Sequence, residues 1–116
     1  MEGYTRFSKL AADEFKGLLN GLLKATSITK NANYTLADNE KTTYIGITLS
    51  AGSKTVTLGL PDGTAAIVVN EGSTNAFTLK NVSGDSGTSV AAGKAYLVRS
   101  SSTANGSKVT LLNDGT

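Results

Sequence analysis

The chain has no cysteine, no histidine and no tryptophan, and only one proline. Without cysteine there are no disulfides, no thiol nucleophile, and no thiol usage from which to read a compartment. Without histidine the commonest general base is missing and a serine triad lacks its central member. The two absences together deprive zinc of its nitrogen and sulfur ligands. No apolar run approaches the ~20 residues of a membrane-spanning helix. No run of basic residues stands out within the net charge of +2, whereas nucleic-acid binders carry a clustered basic stripe. Neither nucleic acid nor a membrane is expected as a partner. Hydrophobic residues make up 39 % of the chain and aromatics 6 %. A globular domain typically reaches roughly 45–50 % apolar once glycine is included, and the 13 glycines close that gap. A thin core of this kind leaves part of the stability to partner chains.

At 116 residues the chain is the size of one domain. Its first part differs from the rest. Phe7, Leu10, Ala11, Phe15, Leu18, Leu19, Leu22 and Leu23 recur three and four apart, the period of one helical face. An amphipathic helix is expected over residues 5 to about 25, with 26–32 as a hinge. Glu2, Asp13 and Glu14 precede Lys16 and Lys24, as the helix dipole prefers. The same acids, with Arg6 and Lys9 not followed by an apolar stretch, exclude a signal-peptide pattern. Synthesis in the cytoplasm without a signal peptide is therefore expected. Gly17 and Gly21 each weaken a helix by about 1 kcal/mol relative to alanine, so this helix needs a surface to dock on.

Beyond residue 32 a period of two takes over. Ile45, Ile47 and Leu49 alternate with Gly46 and Thr48; Val56, Leu58 and Leu60 with Thr57 and Gly59; Phe77 and Leu79 with Thr78; Val109 and Leu111 with Thr110. Such alternation marks strands with one buried and one wet face. Turn signals recur between them: Ser50–Ser53, Pro61-Asp62-Gly63, Asn70–Ser73, Ser83–Gly87, Ala92-Gly93 and Asn105-Gly106. Strands are expected near 33–37, 44–49, 54–60, 64–70, 75–80, 94–100 and 107–112. The continuous run Ala66-Ile67-Val68-Val69 is expected to be the most central. The fold class is mainly β: an N-terminal amphipathic helix (with its hinge, residues 1–32) followed by a small antiparallel β-sandwich or barrel (residues 33–116).

The remaining chemistry is sparse. A glycosidase pair would have to come from Asp38, Glu40, Asp62, Glu71 or Asp85, and three of these lie in turn signals, where acids are common turn formers. Asp38-Asn39-Glu40 and Asp85-Ser86 offer oxygens of the kind calcium takes, without the EF-hand spacing, and read better as turn caps. The stretch Ser83–Gly87 lacks the lysine of a phosphate loop. Tyr34, Tyr44 and Tyr96 have faces that stack on sugars, but they read first as strand residues at a sheet face or subunit contact. No enzyme activity, cofactor or metal is expected.

Six stretches carry a resemblance: Asn33-Tyr34-Thr35-Leu36; Thr55-Val56-Thr57-Leu58-Gly59-Leu60; the Pro61-Asp62-Gly63 turn; Ile67–Leu79 with its Asn70-Glu71-Gly72 turn; Gly93–Arg99; and Asn113-Asp114-Gly115. From about Asn33 to Thr116 the chain resembles the small β domains of tailed-bacteriophage virion proteins, namely capsid decoration proteins, head fibres and tail-fibre modules. Such domains often carry a tryptophan just after that Asp-Gly, where this chain has Thr116. The resemblance implies a homo-oligomer, a trimer, on the virion surface, bound to the major capsid protein. Phe7, Leu10, Phe15, Leu18 and Leu22 would form the capsid or subunit interface. The alternative is a receptor- or carbohydrate-binding module of a phage fibre.

Overall fold

The computed structural model describes residues 24–113. The expected helix lies outside them except at its end, where Ala25 already belongs to a strand. Nine strands occur among the described residues: β1 (Ala25–Lys30), β2 (Tyr34–Thr35), β3 (Tyr44–Leu49), β4 (Lys54–Thr57), β5 (Ala65–Asn70), β6 (Phe77–Lys80), β7 (Thr88–Val90), β8 (Ala95–Arg99) and β9 (Lys108–Asn113). A 3-10 turn spans Asp38–Glu40. All seven expected strands are present within a few residues. β1 and β7 are additional, and β1 occupies the segment expected to be a hinge.

The strands form a five-stranded sheet in the order β1-β3-β5-β8-β9 and a four-stranded sheet in the order β2-β4-β6-β7. The chain thus alternates between sheets through β6. Each of the first three windings lays one strand on either side of a shared core. Successive windings are parallel: β1 to β3 to β5 in one sheet, β2 to β4 to β6 in the other. Only the closing strands pair antiparallel, β6 with β7, β5 with β8, and β8 with β9. This corrects the expected antiparallel fold. Twofold alternation specifies which side of a strand is buried, not the direction of its neighbour. Parallel neighbours need a crossover, and here a strand of the opposite sheet supplies it. The turns at Ser50–Ser53, Pro61–Gly63 and Asn70–Ser73 bend the chain from sheet to sheet, and only Ser83–Gly87 and Asn105-Gly106 lie between antiparallel neighbours.

The stacking repeats the inner positions. Ile28 lies beside Ile47, Ile45 beside Val68, and Val56 beside Leu79. Ile45, Ile47, Val56, Leu58, Val68, Phe77, Val90 and Val98 are almost wholly buried in one cluster drawn from both sheets. At about 1.5–3 kcal/mol for each large side chain removed from water, this cluster is the main favourable term. β5 is the middle strand of the larger sheet, as its apolar run predicts.

Two asparagines stand where the windings stop. Asn70 follows Ile28 and Ile47 in one inner column, and Asn81 follows Leu36 and Leu58 in the other. Both are buried. Asn70 Nδ2 donates to the carbonyls of Asn75 (2.8 Å) and Val90 (2.9 Å), and its Oδ1 accepts from Gly72 N. Asn81 Nδ2 donates to Leu60 O and Ser101 O, while Leu60 N donates to its Oδ1 at 2.8 Å. Each amide joins the last winding to the strands and loops that close the molecule. Full pairing is what makes burial of such a group tolerable.

The fifth strand of the larger sheet has no counterpart in the smaller one. Val109 packs on the edge of the core, but Leu111 is 43 % exposed, although its alternation predicts a buried position.

Candidate functional site

Because Ile45, Ile47 and Leu49 point inward, β3 turns Tyr44, Gly46 and Thr48 outward. The register then sets the outer face of the larger sheet. One row reads Ala25, Tyr44, Ile67, Leu97, Thr110, and the next reads Ser27, Gly46, Val69, Ala95. Ile67 and Val69 are half-buried and Leu97 is 40 % exposed. At the rim, Arg99 lies beside Lys108. The outer face of the smaller sheet is different. Its rows read Thr35, Thr57, Lys80 and Thr55, Thr78, Ser89. One outer face thus carries apolar side chains at its centre, and the other is polar, threonine and serine with Lys80.

Glu71 is folded down onto the apolar face. A Cβ at Gly46 would fall 2.2 Å from its Oε1, so only glycine leaves room for this carboxylate. Tyr44 donates its hydroxyl to Glu71 Oε2 at 2.8 Å, and Ser27 Oγ donates to Oε1 at 3.3 Å. The bond to Glu71 pushes the Tyr44 phenol up, with burial and the carboxylate charge acting the same way. The effect is to hold a negative charge over Gly46 on the outer face itself, between Ser27 of β1 and Val69 of β5.

The other acids are each engaged locally. Asp38 pairs with Lys41 at 3.1 Å, the one ion pair among the described residues. Glu40 accepts from Tyr34 OH at 2.5 Å and from Ala37 N at 2.8 Å. The shared hydrogen bond lowers the Glu40 pKa and raises that of Tyr34. Asp62 accepts from Ser102 N. Asp85 accepts from Asn81 N, Val82 N and Asn105 N at 2.9, 3.2 and 2.6 Å. Burial alone would raise its pKa, but these three N–H groups, aided by Lys80, outweigh burial and lower it. Ser86 N donates back to Asn105 Oδ1, fastening the turn after β6 to the β8–β9 loop. Asn105 reaches this geometry in the left-handed region, φ 61°. The turn-cap reading of Asp85 is thus correct in kind.

Two surface hollows contain a carboxylate. The first, about 120 Å³, is lined by Asp85, and the second, about 290 Å³, by Asp62 together with Arg99 and Lys108. Each has one acid, so neither assembles the pair of carboxylates a glycosidase needs. Among the described residues no group of three or more acids could hold a metal ion. The tyrosines are not brought together: Tyr34 and Tyr96 pack against the core, and only Tyr44 stands on an outer face. Lys30 Nζ lies 4.4 Å from the centre of the Tyr34 ring and covers it.

Phe7, Leu10, Phe15, Leu18 and Leu22 lie outside the described residues. The apolar outer row was not anticipated, although a signal for it exists. A strand reading Ala-Ile-Val-Val is apolar on both sides, so one side of β5 had to be something other than a wet face.

No protein-family model, no curated protein and no solved structure matches the chain.

Proposed function

We propose that this chain is a structural virion protein, a capsid decoration or head-fibre subunit that binds the outer capsid surface as a homo-oligomer, a trimer. Phe7, Leu10, Phe15, Leu18 and Leu22 contact the capsid or the neighbouring subunit. The observation that carries this reading is the contrast between the two outer faces. Apolar patches on a soluble protein mark contact surfaces, and here one lies on a body whose other face is threonine, serine and lysine. The carboxylates support the same reading, since they brace turns rather than converge. Deletion of residues 1–23 leaves β1 intact and tests the assignment. Loss of assembly and of capsid binding, with the β signal in circular dichroism retained, is the expected result. Unchanged assembly and capsid binding by the truncated protein would remove it.

A second reading is a receptor- or carbohydrate-binding module of a phage fibre, favoured by the exposed pair of Tyr44 and Glu71. Selective binding on a glycan array that disappears in Tyr44→Ala supports that alternative.

A further inference from the structure

We propose that the hollow beside the Arg99–Lys108 pair binds one anionic sugar unit, a carboxylated or phosphorylated hexose. The proposal goes beyond the assembly reading and does not depend on it. Three observations lead to it.

The first is a pair of cations that the fold does not neutralise. Arg99 of β8 and Lys108 of β9 are direct cross-strand partners. Like charges placed opposite one another destabilise a sheet. An acid within reach would relieve this, yet the one ion pair among the described residues is that of Asp38 with Lys41. Both cations are exposed, so a ligand can reach them from solvent.

The second is a hollow with fixed walls. At about 290 Å³ it lies near the lower end of ligand pockets, roughly 300–1,000 Å³, which suits one ring rather than a chain of them. Its walls are the turn before β5 and the β8–β9 loop, and hydrogen bonds hold one against the other. Gly63 N donates to Ser100 O at 2.9 Å, Ser100 N to Thr64 O at 2.8 Å, and Ser102 N to Asp62 Oδ1 at 3.1 Å. A Cβ at Gly106 would fall 2.5 Å from Ser101 Oγ, so glycine lets the loop fold this closely. A site whose backbone is already tied loses little freedom on binding.

The third is Asp62, the one carboxylate that lines the hollow. Its Oδ1 is taken by Ser102 N, while its Oδ2 accepts no hydrogen bond from the described residues. This carboxylate repels a bare anion. A ligand with hydroxyls beside its charge fits instead. Its anionic oxygens face Arg99 and Lys108, where charge-assisted hydrogen bonds form, and a hydroxyl donates to Asp62 Oδ2. Two cations and one acceptor thus favour an anionic sugar over both a neutral sugar and a simple anion.

The test follows the backbone amide shifts of the full chain as glucuronate, glucose 6-phosphate, glucose or acetate is added. At least one of the two anionic sugars should saturate in the millimolar range, and whichever binds tighter identifies the anionic group. Glucose and acetate should bind about 10-fold more weakly or worse. Arg99→Ala and Lys108→Ala should each raise the dissociation constant about 10-fold, as loss of a hydrogen bond between charged groups does. Lys54→Ala, which removes a cation from the smaller sheet, should leave it unchanged. Asp62→Asn keeps an acceptor for Ser102 N and separates the roles: acetate should bind more tightly, and the preference for the sugar over acetate should shrink. Acetate binding as tightly as the anionic sugars would reduce the site to a simple anion contact and overturn the proposal. So would failure of both sugars to saturate, or binding that survives Arg99→Ala and Lys108→Ala. Each of these failures leaves assembly untouched, because sedimentation reads that separately.

Discussion

The two sheets are alike inside and unlike outside. On their inner faces both follow one rule, mostly aliphatic residues at alternate positions, stacked from winding to winding and ended by a buried asparagine. On their outer faces the smaller sheet repeats threonine, the residue that suits a wet β surface, while the larger sheet sets Tyr44, Ile67 and Leu97 side by side. The shared inner rule is what the fold requires. Folding does not require the outer difference, and the proposed assembly would account for it.

The comparison can be broken most severely from within. Phe77→Ala in the smaller sheet should lower stability by about 3–5 kcal/mol, and Ile47→Ala in the larger by about 2–5 kcal/mol. Similar losses of denaturation free energy would show that both inner faces belong to one core. A large loss in one sheet alone would separate them. Next is the place where the windings end. Asn81→Leu restores the aliphatic column of Leu36 and Leu58 but leaves Leu60 N, Leu60 O and Ser101 O without their partner. Each such group costs about 1–3 kcal/mol, so urea melts should show destabilisation despite the gain in apolarity.

Asp85 makes the third test, through pH. Its folded-state pKa lies below the ordinary aspartate value because three backbone N–H groups stabilise the charged form against burial. A depressed carboxylate contributes stability that is fully present above the unfolded value, about 3.9, and is lost as pH falls through the lower folded value. Asp85→Asn should therefore be less stable than the parent protein at neutral pH and converge with it in acid. Parallel stability curves down to low pH would contradict this. The smallest effects belong to the outer faces. Thr57→Ala should change stability by no more than about 0.5 kcal/mol. Ile67→Thr should be similarly mild in the isolated subunit. It should also flatten any rise of melting temperature with protein concentration, since association stabilises by mass action.

Much of the β body is legible from the sequence because burial is local information. Ile45, Ile47, Leu49, Val56, Leu58, Phe77 and Leu79 are inward as their alternation predicts. Pro61-Asp62-Gly63 closes a turn with Thr64 N donating to Pro61 O and Gly63 at φ 81°. Strand direction is not local. The parallel stacking was detectable only as an offset: Tyr44 lies beside Ile67 and Val56 beside Leu79, both 23 residues apart, the kind of period that stacked windings produce. The first winding blurs it, because Ala25 pairs with Tyr44 at a shorter offset. β1 escapes notice because Ala25–Lys30 has a single buried residue, Ile28, and directly follows a helical pattern. β7 is three residues long, with only Val90 buried. Leu111 misleads because alternation cannot reveal that β9 overhangs the opposite sheet.

Sedimentation equilibrium of the intact chain, followed across a wide range of concentration, tests self-assembly most directly. A single species of three times the 11.9 kDa chain mass is the result this account predicts. A species that remains at the mass of one chain even at about 100 µM, where a complex held by only ~5.5 kcal/mol would already be half formed, would contradict it.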